Sequence, residues 1–405
     1  MQEKRDFIVV GGGASGMAAA VAASCSGERV LLLEKSSSLG KKISASGNGR
    51  CNLMNTLDPV YYGDTDFAAR VLRHFGRKDL ERFWSGLGLC LCEEEEGRVY
   101  PATFQASSVV DALKTGLKSG GVETLLQAPV LRVRKDGGMF CAETGQGTFF
   151  AERILIAAGG AASPKLGGSS SGYSILASFG HRIVPPSPTL CPLTTDRKSI
   201  SGLAGIRTRC RISLFSRAHE LLHSEKGEIL FTDYGISGIC AMQCARFAEE
   251  GCTAELDLAG RIFPDAPALT EYLRRRREKA CIFPPETILT GFLMPKLAFA
   301  VLKQAGIETR NRTAGDLSDA ELASAGCTAY HYTLQITGTK GLDESQATSG
   351  GAECGEFYPE TMESRIVKGL HASGELLNVD GGCGGFNLMF AFSSGILAGL
   401  NGRKV

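Results

Sequence analysis

A glycine-rich turn near the amino terminus has the residue types and spacing of a phosphate-binding loop. It spans Gly11–Gly16 and follows the apolar run Phe7–Val10, and a small-residue stretch with helical character comes directly after it. Gly11 would permit the tight turn, Gly13 would let the backbone approach a pyrophosphate, and Gly16 would let the helix lie close on the strand. The free N–H groups of the helix start would then bind the phosphates, which is the chemistry of dinucleotide recognition.

The acidic residue that this chemistry needs follows a second apolar run. Residues 29–33 read Arg-Val-Leu-Leu-Leu and lead into Glu34, where a carboxylate can accept hydrogen bonds from the hydroxyls of an adenosine ribose. The alternative interpretation is a glycine-rich turn in some other α/β protein, with Glu34 as an ordinary surface charge. The strand, turn and helix that surround the glycines favour the dinucleotide interpretation.

A polar loop follows the predicted ribose-binding strand. The run from Gly40 to Asn55 is rich in Gly, Ser and Asn and carries the cations Lys41, Lys42 and Arg50. Such a loop supplies backbone donors and positive charge beside an anionic ligand. On composition alone it could be an ordinary long loop, but its position directly after Glu34 favours a ligand.

Later segments repeat the pattern of a strand that ends in glycine. The run Arg153–Gly160 ends in small residues that leave room for a dinucleotide. Gly374 and Glu375 would place a carboxylate near a ribityl hydroxyl. The glycine loop at 381–387 would point the start of an apolar helix at the O2/N1 edge of an isoalloxazine, where negative charge grows on reduction.

A further glycine-rich run, Gly167–Gly172, offers a second place for phosphate groups. It could serve a nicotinamide nucleotide, but no strand and acidic residue follow at the spacing that such a site requires. The sequence therefore predicts one dinucleotide site and leaves NADH and NADPH both open as electron donors.

The bulk properties indicate a large protein without a strong charge. The 405 residues carry a formal net charge of +1, which gives no reason to expect a nucleic-acid or anionic-membrane partner. No apolar leader or spanning run stands out, and the fourteen cysteines are scattered, so we expect reduced thiols in the cytoplasm and no membrane association. Neither Cys90 and Cys92 nor Cys240 and Cys244 have further ligands at metal spacing, so no metal site is predicted.

The pattern of elements predicts an α/β protein with an insertion. Helical periodicity covers residues 66–88, 107–118, 268–280 and 286–305, and alternating runs between 123 and 156 suggest a strand and a small meander. A proline cluster at 185–188 marks a boundary, after which short alternating strands at 207–215, 219–224, 228–231 and 253–258 indicate a β-barrel or sandwich. We predict domains at 1–188, 189–336 and 337–405, of which the first and last form one unit.

Several of these motifs together resemble a known family. GGGASGMAAA, SGNGRCN, FTDYGISG, TMESRIVKGLHASGELLNVDG and GGFNLMFAFSSGILAG are similar to motifs of the bacterial NAD(P)/FAD-dependent, aminoacetone-oxidase-like flavoproteins, a family that includes a bile-acid reductase. The resemblance runs from Phe7 to Gly399, and the chain departs from the family pattern at Asp233, Ile239 and Phe386. It implies a Rossmann-like FAD-binding domain of the glutathione-reductase type with an inserted β-barrel and helical subdomain.

The resemblance also implies which residues hold FAD. They lie in the segments described above and at one further position in the meander: Gly11, Gly13, Ala14, Ser15, Gly16, Glu34, Lys35, Lys41, Lys42, Gly47, Asn48, Gly49, Arg50, Cys51, Asn52, Val130, Ala158, Gly159, Gly160, Gly374, Glu375, Gly385, Phe386, Asn387 and Leu388.

The leading functional hypothesis is an FAD-dependent oxidoreductase that exchanges a hydride between flavin N5 and a small organic substrate, held between the flavin domain and the barrel. An enone such as a 3-oxo-Δ4/Δ6 bile-acid intermediate, reduced with NADH or NADPH, would need an anion-stabilising group and a proton donor. Arg50 is the first candidate, followed by Tyr234, His331 and Tyr332. An oxygen-dependent amine oxidase, a redox sensor and a relative of RNA-modifying flavoenzymes are the alternatives.

Overall fold

The structure, a computed structural model, describes residues 5–403 and divides into two compact units. The first comprises the chain up to Pro188 together with the chain from Gln346 onward, and the second comprises Thr189–Ser345. The second boundary therefore lies after Ser345, whereas the sequence placed it after Ile336. The last barrel strand runs to Thr339, and a short 3₁₀ turn, Leu342–Glu344, follows it in the same unit.

The first segment of the chain contains eleven strands and six helices among the described residues. The strands are β1 (Arg5–Val10), β2 (Val30–Leu33), β3 (Met54–Asn55), β4 (Tyr61–Gly63), β5 (Leu91–Glu93), β6 (Arg98–Pro101), β7 (Glu123–Leu125), β8 (Val130–Asp136), β9 (Met139–Thr144), β10 (Gly147–Ile156) and β11 (Ile183–Thr189). The helices are α1 (Ala14–Cys25), α2 (Lys41–Ala45), α3 (Thr65–His74), α4 (Arg77–Gly86), α5 (Ala106–Ser119) and α6 (Ser171–Ser178).

The inserted unit and the returning segment complete the chain. The inserted unit contains β12 (Leu193–Thr195), β13 (Arg207–Phe215), β14 (Leu221–Phe231), β15 (Gly235–Ser237), α7 (Ile239–Gln243), β16 (Thr253–Asp257), α8 (Ala266–Lys279), α9 (Pro295–Gln304), α10 (Asp319–Tyr330) and β17 (Tyr332–Thr339). The returning segment contains β18 (Ala347–Ala352), β19 (Leu370–Ala372), β20 (Val379–Gly381) and α11 (Phe386–Leu400).

A seven-stranded sheet organises the first unit. Its strand order is β7-β2-β1-β10-β9-β8, and β19 also pairs with β10. The pairs β1 with β2, β1 with β10, β2 with β7 and β10 with β19 are parallel, whereas β8 with β9 and β9 with β10 are antiparallel and form a meander. Val10 is in register with both Leu33 and Ile156, and Ile156 is in register with Ala372. The carboxyl ends of four parallel strands therefore meet at one edge.

Helices α1 and α11 lie against each other because glycines remove side chains at their contact. A β-carbon on Gly395 or Gly399 of α11 would overlap the carbonyl oxygens of Ser15 and Ala19, respectively, on α1. Both helices are apolar and mostly buried, as expected for helices inside a large core. This contact joins the amino-terminal and carboxyl-terminal segments into one unit.

The inserted unit has its own core inside a closed antiparallel barrel. The barrel order is β12-β15-β14-β13-β16-β17, and closure leaves no open edge. Alternate residues of β13, such as Cys210, Ile212 and Leu214, point inward and are buried, and helices α8 to α10 add further apolar side chains to the same core.

The helices differ from the sequence prediction at three places. Residues 66–88 form two helices, because Phe75 has extended backbone angles and Asp79 accepts a hydrogen bond from Gly76 N–H at 2.9 Å, which begins α4. The stretch 286–305 is helical as α9 only from Pro295, after a short 3₁₀ turn. Helix α10 was not predicted. The segments 219–224 and 228–231, predicted as separate strands, are one continuous β14.

Within residues 5–403 no helix is long and apolar enough to cross a membrane.

Candidate functional site

The predicted site residues follow the carboxyl ends of the parallel strands. The glycine turn follows β1, Glu34 follows β2, Ala158 to Gly160 follow β10, and Gly374 and Glu375 follow β19. Because these strands are parallel and adjacent, the four segments come together at one edge of the sheet. Ligands of open parallel sheets bind at this edge.

The glycine turn after β1 has two glycines that packing requires and one that faces open space. Gly11 has a φ of 114°, and a β-carbon there would overlap the Ala157 carbonyl. A β-carbon on Gly16 would overlap the Gly11 carbonyl. By contrast, a β-carbon on Gly13 would have no atom within 4 Å. The open face at Gly13 lies directly before α1, whose first turn has no side-chain cap.

Glu34 ties β2 to the glycine turn. Its Oε2 accepts a hydrogen bond from Gly12 N–H at 2.6 Å, and its Oε1 accepts one from Ser36 N–H at 2.7 Å. The residue is only 8% exposed. A carboxylate has about four lone-pair positions, so each oxygen can still accept a further donor such as a ribose hydroxyl. Lys35 comes next in the chain and is exposed, with its Cε close to the position of Gly167.

Glu375 lies in a network that joins three segments of the first unit. Lys42 Nζ donates to its Oε2 at 2.7 Å, and both the N–H and the hydroxyl of Thr348 donate to its Oε1 at 2.8 Å. Thr348 Oγ1 in turn accepts from Ala162 N–H at 2.9 Å. A β-carbon on Gly160 would overlap the side-chain ends of Thr348 and Glu375, so glycine leaves room for this network. Lys41 is the first residue of α2, next to Lys42.

The glycine turn and the Gly374–Glu375 segment are neighbours. A β-carbon on Gly374, which has a φ of 67°, would lie 2.9 Å from Ser15 Oγ at the start of α1. Gly374 N–H also donates to Ser394 Oγ of α11 at 3.0 Å. The two ends of the chain therefore meet at the amino-terminal end of α1.

The predicted loop at 46–52 is a short 3₁₀ turn with left-handed residues. Gly47, Asn48, Gly49 and Cys51 all have positive φ. Arg50 lies in this loop, and its guanidinium packs on the rings of Tyr100 and Phe104, with 4.4 and 4.6 Å from Cζ to the ring centroids. It also donates to Glu94 Oε2 at 2.8 Å. These contacts hold the guanidinium in one place while about two fifths of the side chain stays exposed.

The loop before α11 is fixed by side chains on both sides. Asn387 donates to the Gly381 carbonyl and accepts from Gly381 N–H, both at 2.8 Å. Asn55 Nδ2 donates to the Gly384 carbonyl at 2.8 Å, and Tyr61 OH donates to the Phe386 carbonyl at 2.9 Å. Gly385 caps α11 with a φ of 104°. Leu388 is in the first turn of the helix and packs against the core.

Val130 and the second glycine run occupy the outer parts of this edge. Val130 begins β8, and the nearby Ala128 N–H donates to the Glu34 carbonyl at 2.9 Å. In the second run, a β-carbon on Gly168 would overlap the Ala162 carbonyl, so packing accounts for this glycine. The strand after α6 is β11, Ile183–Thr189, which has no acidic residue at its end.

The candidates from the inserted unit have well-defined contacts of their own. Tyr234 is partly buried, which raises the pKa of its hydroxyl, and the ammonium of Lys340 packs on its ring. His331 is exposed at the end of α10 and pairs with Glu255 at 2.8 Å. Tyr332 is buried in the barrel and donates to the Ser199 carbonyl at 2.8 Å.

Sequence reasoning missed Thr348 and Ser36, and it did not foresee the hydrogen bond from Gly12 N–H to Glu34. The two backbone N–H groups of Gly12 and Ser36 carry no side-chain signal. Thr348 lies in β18, and its partner Glu375 is 27 residues further along the chain, so no local pattern links the two. Among residues 5–403, no group of three or more His, Cys, Asp or Glu side chains is arranged to hold a metal ion.

The residues at this edge fit an FAD. Phosphates suit the uncapped helix start beside the open face of Gly13, and ribose hydroxyls suit the remaining lone pairs of Glu34. Gly159, with a φ of 73°, likewise has no atom within 4 Å of a β-carbon position. The site therefore has both the donors and the open space that a dinucleotide needs.

Comparison with known proteins agrees with this geometry. The family described as the HI0933-like protein Rossmann domain matches residues 5–401. The chain is 36% identical to the 3-dehydro-bile acid delta(4,6)-reductase of Clostridium scindens, across 96% of this chain and 97% of the reductase. It is 29% identical to the ribosomal RNA dihydrouridine synthase of Escherichia coli, across 97% and 96% of the two chains. The second similarity leaves the predicted exclusion of a nucleic-acid partner unconfirmed.

A solved structure shares the fold. The 3-ketosteroid delta1-dehydrogenase of Sterolibacterium denitrificans superposes with a TM-score of 0.50 over 98% of each chain, at 13% identity. At this identity the likeness concerns the fold alone. The parallel sheet, the glycine turn and the family match agree, so the chain belongs to the HI0933-like Rossmann family and is an FAD-dependent oxidoreductase.

Proposed function

We propose that this protein reduces a carbon–carbon double bond conjugated to a ketone, in a 3-oxo-Δ4 or 3-oxo-Δ4,6 steroid of the bile-acid type, with NADH or NADPH as the electron donor. The observation that carries the proposal is the 36% identity to a reductase of this name across nearly the whole of both chains. The overall reaction is enone + NAD(P)H + H⁺ → saturated ketone + NAD(P)⁺.

The chemistry of a second relative supports the same reaction class. Making dihydrouridine means adding two hydrogens across the double bond of a uracil ring, which is conjugated to a carbonyl just as an enone is. In both cases a hydride goes to the carbon remote from the carbonyl, and a proton goes to the carbon beside it. The reaction class is therefore common to both relatives, and the substrate is what distinguishes them.

The cofactor would lie along the edge of the parallel sheet. We propose that the start of α1 binds the pyrophosphate, that Glu34 binds the adenosine ribose, and that Glu375 with Lys42 binds the ribityl side. When bound, FAD supplies the two-electron chemistry by accepting a hydride at N5 and returning it to the substrate. The protein binds and orients the ring and excludes water from it.

The remaining requirement is to stabilise negative charge on the carbonyl oxygen of the substrate. We propose Arg50 for this role, because its guanidinium has five N–H donors and the described contacts use one of them for Glu94. Its stacking on Tyr100 and Phe104 fixes the donors in advance, as electrostatic stabilisation requires. Tyr234 and His331 remain candidates for the proton donor.

Charge favours a small apolar substrate over RNA. The inserted unit, residues 189–345, carries 19 lysines and arginines and 19 aspartates and glutamates, so its formal net charge is zero. Proteins that bind RNA neutralise phosphates with an excess of positive charge. The reduction of a uridine in ribosomal RNA is the second candidate, favoured by the full-length similarity to the dihydrouridine synthase.

Anaerobic stopped-flow absorbance tests the proposal in two halves. Mixing the FAD-loaded protein with NADH or NADPH should bleach the flavin absorbance. Adding a 3-oxo-4-ene bile acid should then restore the absorbance, with the saturated 3-ketone as product. Restoration by oxygen alone would favour an oxidase, and no bleaching by either nucleotide would argue against both as donors. Dihydrouridine formed in ribosomal RNA from cells that lack the modification would favour the second candidate.

A further inference from the structure

A cavity on the surface of the inserted unit combines positive charge with apolar side chains. It has a volume of about 270 Å³ and is lined by residues of β13 and β14, of the turn after β16, and of the segment that leads into α9. This volume is close to the lower limit of about 300 Å³ for small-molecule pockets. The cavity lies wholly within the inserted unit, so it is separate from the sheet edge that fits FAD.

Three arginines supply the positive charge of the cavity. Arg207 and Arg209 are two residues apart on β13, so they share one face of the strand, and both are exposed. Arg209 is in register with Glu228 of β14, but the Glu228 carboxylate accepts a hydrogen bond from Arg207 at 2.8 Å. Within residues 5–403, the guanidinium groups of Arg209 and Arg261 have neither a hydrogen bond nor an ion pair. Two unpaired positive charges therefore line the cavity.

Exposed apolar side chains lie beside these charges. Ile262 is 57% exposed and Met294 is 55% exposed, although both are large and apolar. Their backbones are held in place, because Ile262 N–H donates to the Ala259 carbonyl at 2.8 Å and the Met294 carbonyl accepts from Ala298 N–H at 2.9 Å. Exposed apolar surface with a polar rim is typical of a ligand-binding groove. A ligand that covers these two side chains would remove apolar surface from water.

We propose that this cavity binds an organic anion that carries one carboxylate on an apolar skeleton, the chemistry that bile acids and fatty acids share. Arg209 and Arg261 bind the carboxylate, because the planar guanidinium group matches the two oxygens of a carboxylate. The skeleton next to the carboxylate covers Ile262 and Met294. The site goes beyond the proposed activity, since the transfer of a hydride to an enone requires no carboxylate.

A chain of phosphates fits this cavity less well than a single carboxylate. The lining carries three arginines and one glutamate, so its formal net charge is 3 − 1 = +2, and Glu228 would repel successive phosphates. Five of the six other lining side chains are apolar. Binding of RNA instead depends on an excess of positive charge along the phosphate backbone. The observed lining therefore favours a small amphipathic anion.

Titration calorimetry of the FAD-loaded full chain tests the proposal with octanoate and cholate as probes. Octanoate should bind about tenfold more tightly than 1-octanol, which lacks the charge, and than acetate, which lacks the skeleton. Tighter binding of cholate would identify a rigid steroid skeleton as the occupant, and tighter binding of octanoate a flexible acyl chain. No binding of either acid, or equal binding of octanoate and 1-octanol, would overturn the proposal.

Variants of exposed residues show whether the acids bind in this cavity. Arg261→Gln and Met294→Gln should each weaken binding of the preferred acid by about tenfold. Arg310→Gln and Ile282→Gln, at exposed positions outside the lining, should leave the affinity unchanged. Equal affinity in all four variants would place the acid elsewhere and refute the assignment, as would tighter binding of octauridylate than of either acid. None of these measurements uses flavin reduction or an enone, so this proposal and the proposed activity fail separately.

Discussion

Thr348 controls where the carboxylate of Glu375 points. It is fully buried and gives Glu375 Oε1 two hydrogen bonds while its own oxygen accepts from Ala162 N–H. One hydroxyl thus joins the segment after β10 to the segment after β19. Because the threonine touches Glu375 rather than the proposed ligand, we assign it a positioning role.

Replacing the threonine hydroxyl by a methyl group should weaken FAD binding without affecting the adenosine half. Thr348→Val leaves Ala162 N–H without an acceptor and Glu375 with one donor fewer. The free energy lost with these hydrogen bonds is about 1–3 kcal/mol. We expect the affinity for FAD to fall by about tenfold, with unchanged affinity for ADP, as measured by titration calorimetry of the apoprotein. Thr348→Ser should restore binding, and an equal loss for FAD and ADP would contradict a local role.

Arg50 combines a fixed position with unused donors. Arg50→Lys keeps the charge but loses the planar group that stacks on Tyr100 and Phe104. We expect the rate of flavin reoxidation by the enone to fall by about 10²–10³-fold, with unchanged reduction by NAD(P)H. Arg82→Lys, at an exposed arginine of α4, serves as the control. If Arg50→Lys lowers only thermal stability, Arg50 has a structural role alone.

His371 should make the first unit sensitive to mild acid. Burial, with a smaller contribution from Arg153, lowers the pKa of this imidazole to about 3. In the unfolded chain the ring takes up a proton below about pH 6.5, whereas the folded protein keeps it neutral. Stability from this residue is therefore complete above pH 6.5 and decreases as the pH falls toward 3, by at most about 1.4 kcal/mol per pH unit.

Urea unfolding at several pH values measures this contribution. Between about pH 6.5 and pH 5, the wild-type protein should lose stability more steeply than His371→Gln, which has no titrating ring. The variant starts from a lower stability because the ring also bonds to the Thr361 carbonyl at 3.0 Å. The two proteins are therefore compared by the slope of the free energy of unfolding against pH. Equal slopes would exclude His371 as the source of the acid sensitivity.

At the scale of elements, the contact of α1 with α11 depends on glycines. A β-carbon on Gly399 would meet the backbone carbonyl of Ala19, which cannot rotate away as a side chain can. Gly399→Ala should therefore lower the free energy of unfolding by about 1–3 kcal/mol and weaken FAD binding, because α1 would shift. Gly86→Ala, where a β-carbon on α4 meets no atom within 4 Å, should leave stability equal or slightly higher. Equal thermal midpoints for the two variants would contradict this account.

The elements that could be predicted from sequence are those with strong local signals. The glycine turn, the strand before it and α11 have periodicity and punctuation that act over a few residues. The break between α3 and α4 could not be predicted from periodicity, because the apolar spacing continues through Phe75. The start of α4 is marked by the hydrogen bond that Gly76 N–H donates to the carboxylate of Asp79. Helix α10 was missed although Ser318 and Glu321 form a capping box at its start.

The site could be predicted as segments but not as a network. Glycines and acidic residues at strand ends predicted a site at one edge of the sheet, because parallel strands bring their carboxyl ends together. The bonds from Lys42 and Thr348 to Glu375 could not be predicted, since they join residues distant in the chain through the folded sheet.

At the scale of the whole molecule, the two units have separate cores. The apolar cluster of the first unit draws on residues up to Leu176 and from Ala352 onward, and that of the inserted unit lies between Cys191 and Ile336. The insertion begins and ends on the paired strands β11 and β18. Each core can therefore form from its own segment of sequence.

The two ends of the insertion come close together within the first unit. Glu353 N–H donates to the Arg182 carbonyl at 2.9 Å, and a β-carbon on Gly350 would lie 2.5 Å from the Pro185 carbonyl. The partner of Arg182 is Glu353, and the partner of Pro185, three residues later, is Gly350, three residues earlier. The two segments therefore run antiparallel. Continuing the same register brings Pro188 opposite Ala347.

Removing the insertion should leave a flavin-binding protein without enone reductase activity. In this variant, Thr189–Ser345 is replaced by about four glycine and serine residues, as in a short hairpin connection. We expect a soluble, yellow protein, because the first unit keeps its core and the residues proposed for FAD. Turnover of the enone should be lost, because Tyr234 and His331 are removed. Glu34→Ala in the same shortened chain should weaken FAD binding, and a shortened chain that stays colourless with excess FAD would show that the first unit needs the insertion to form its site.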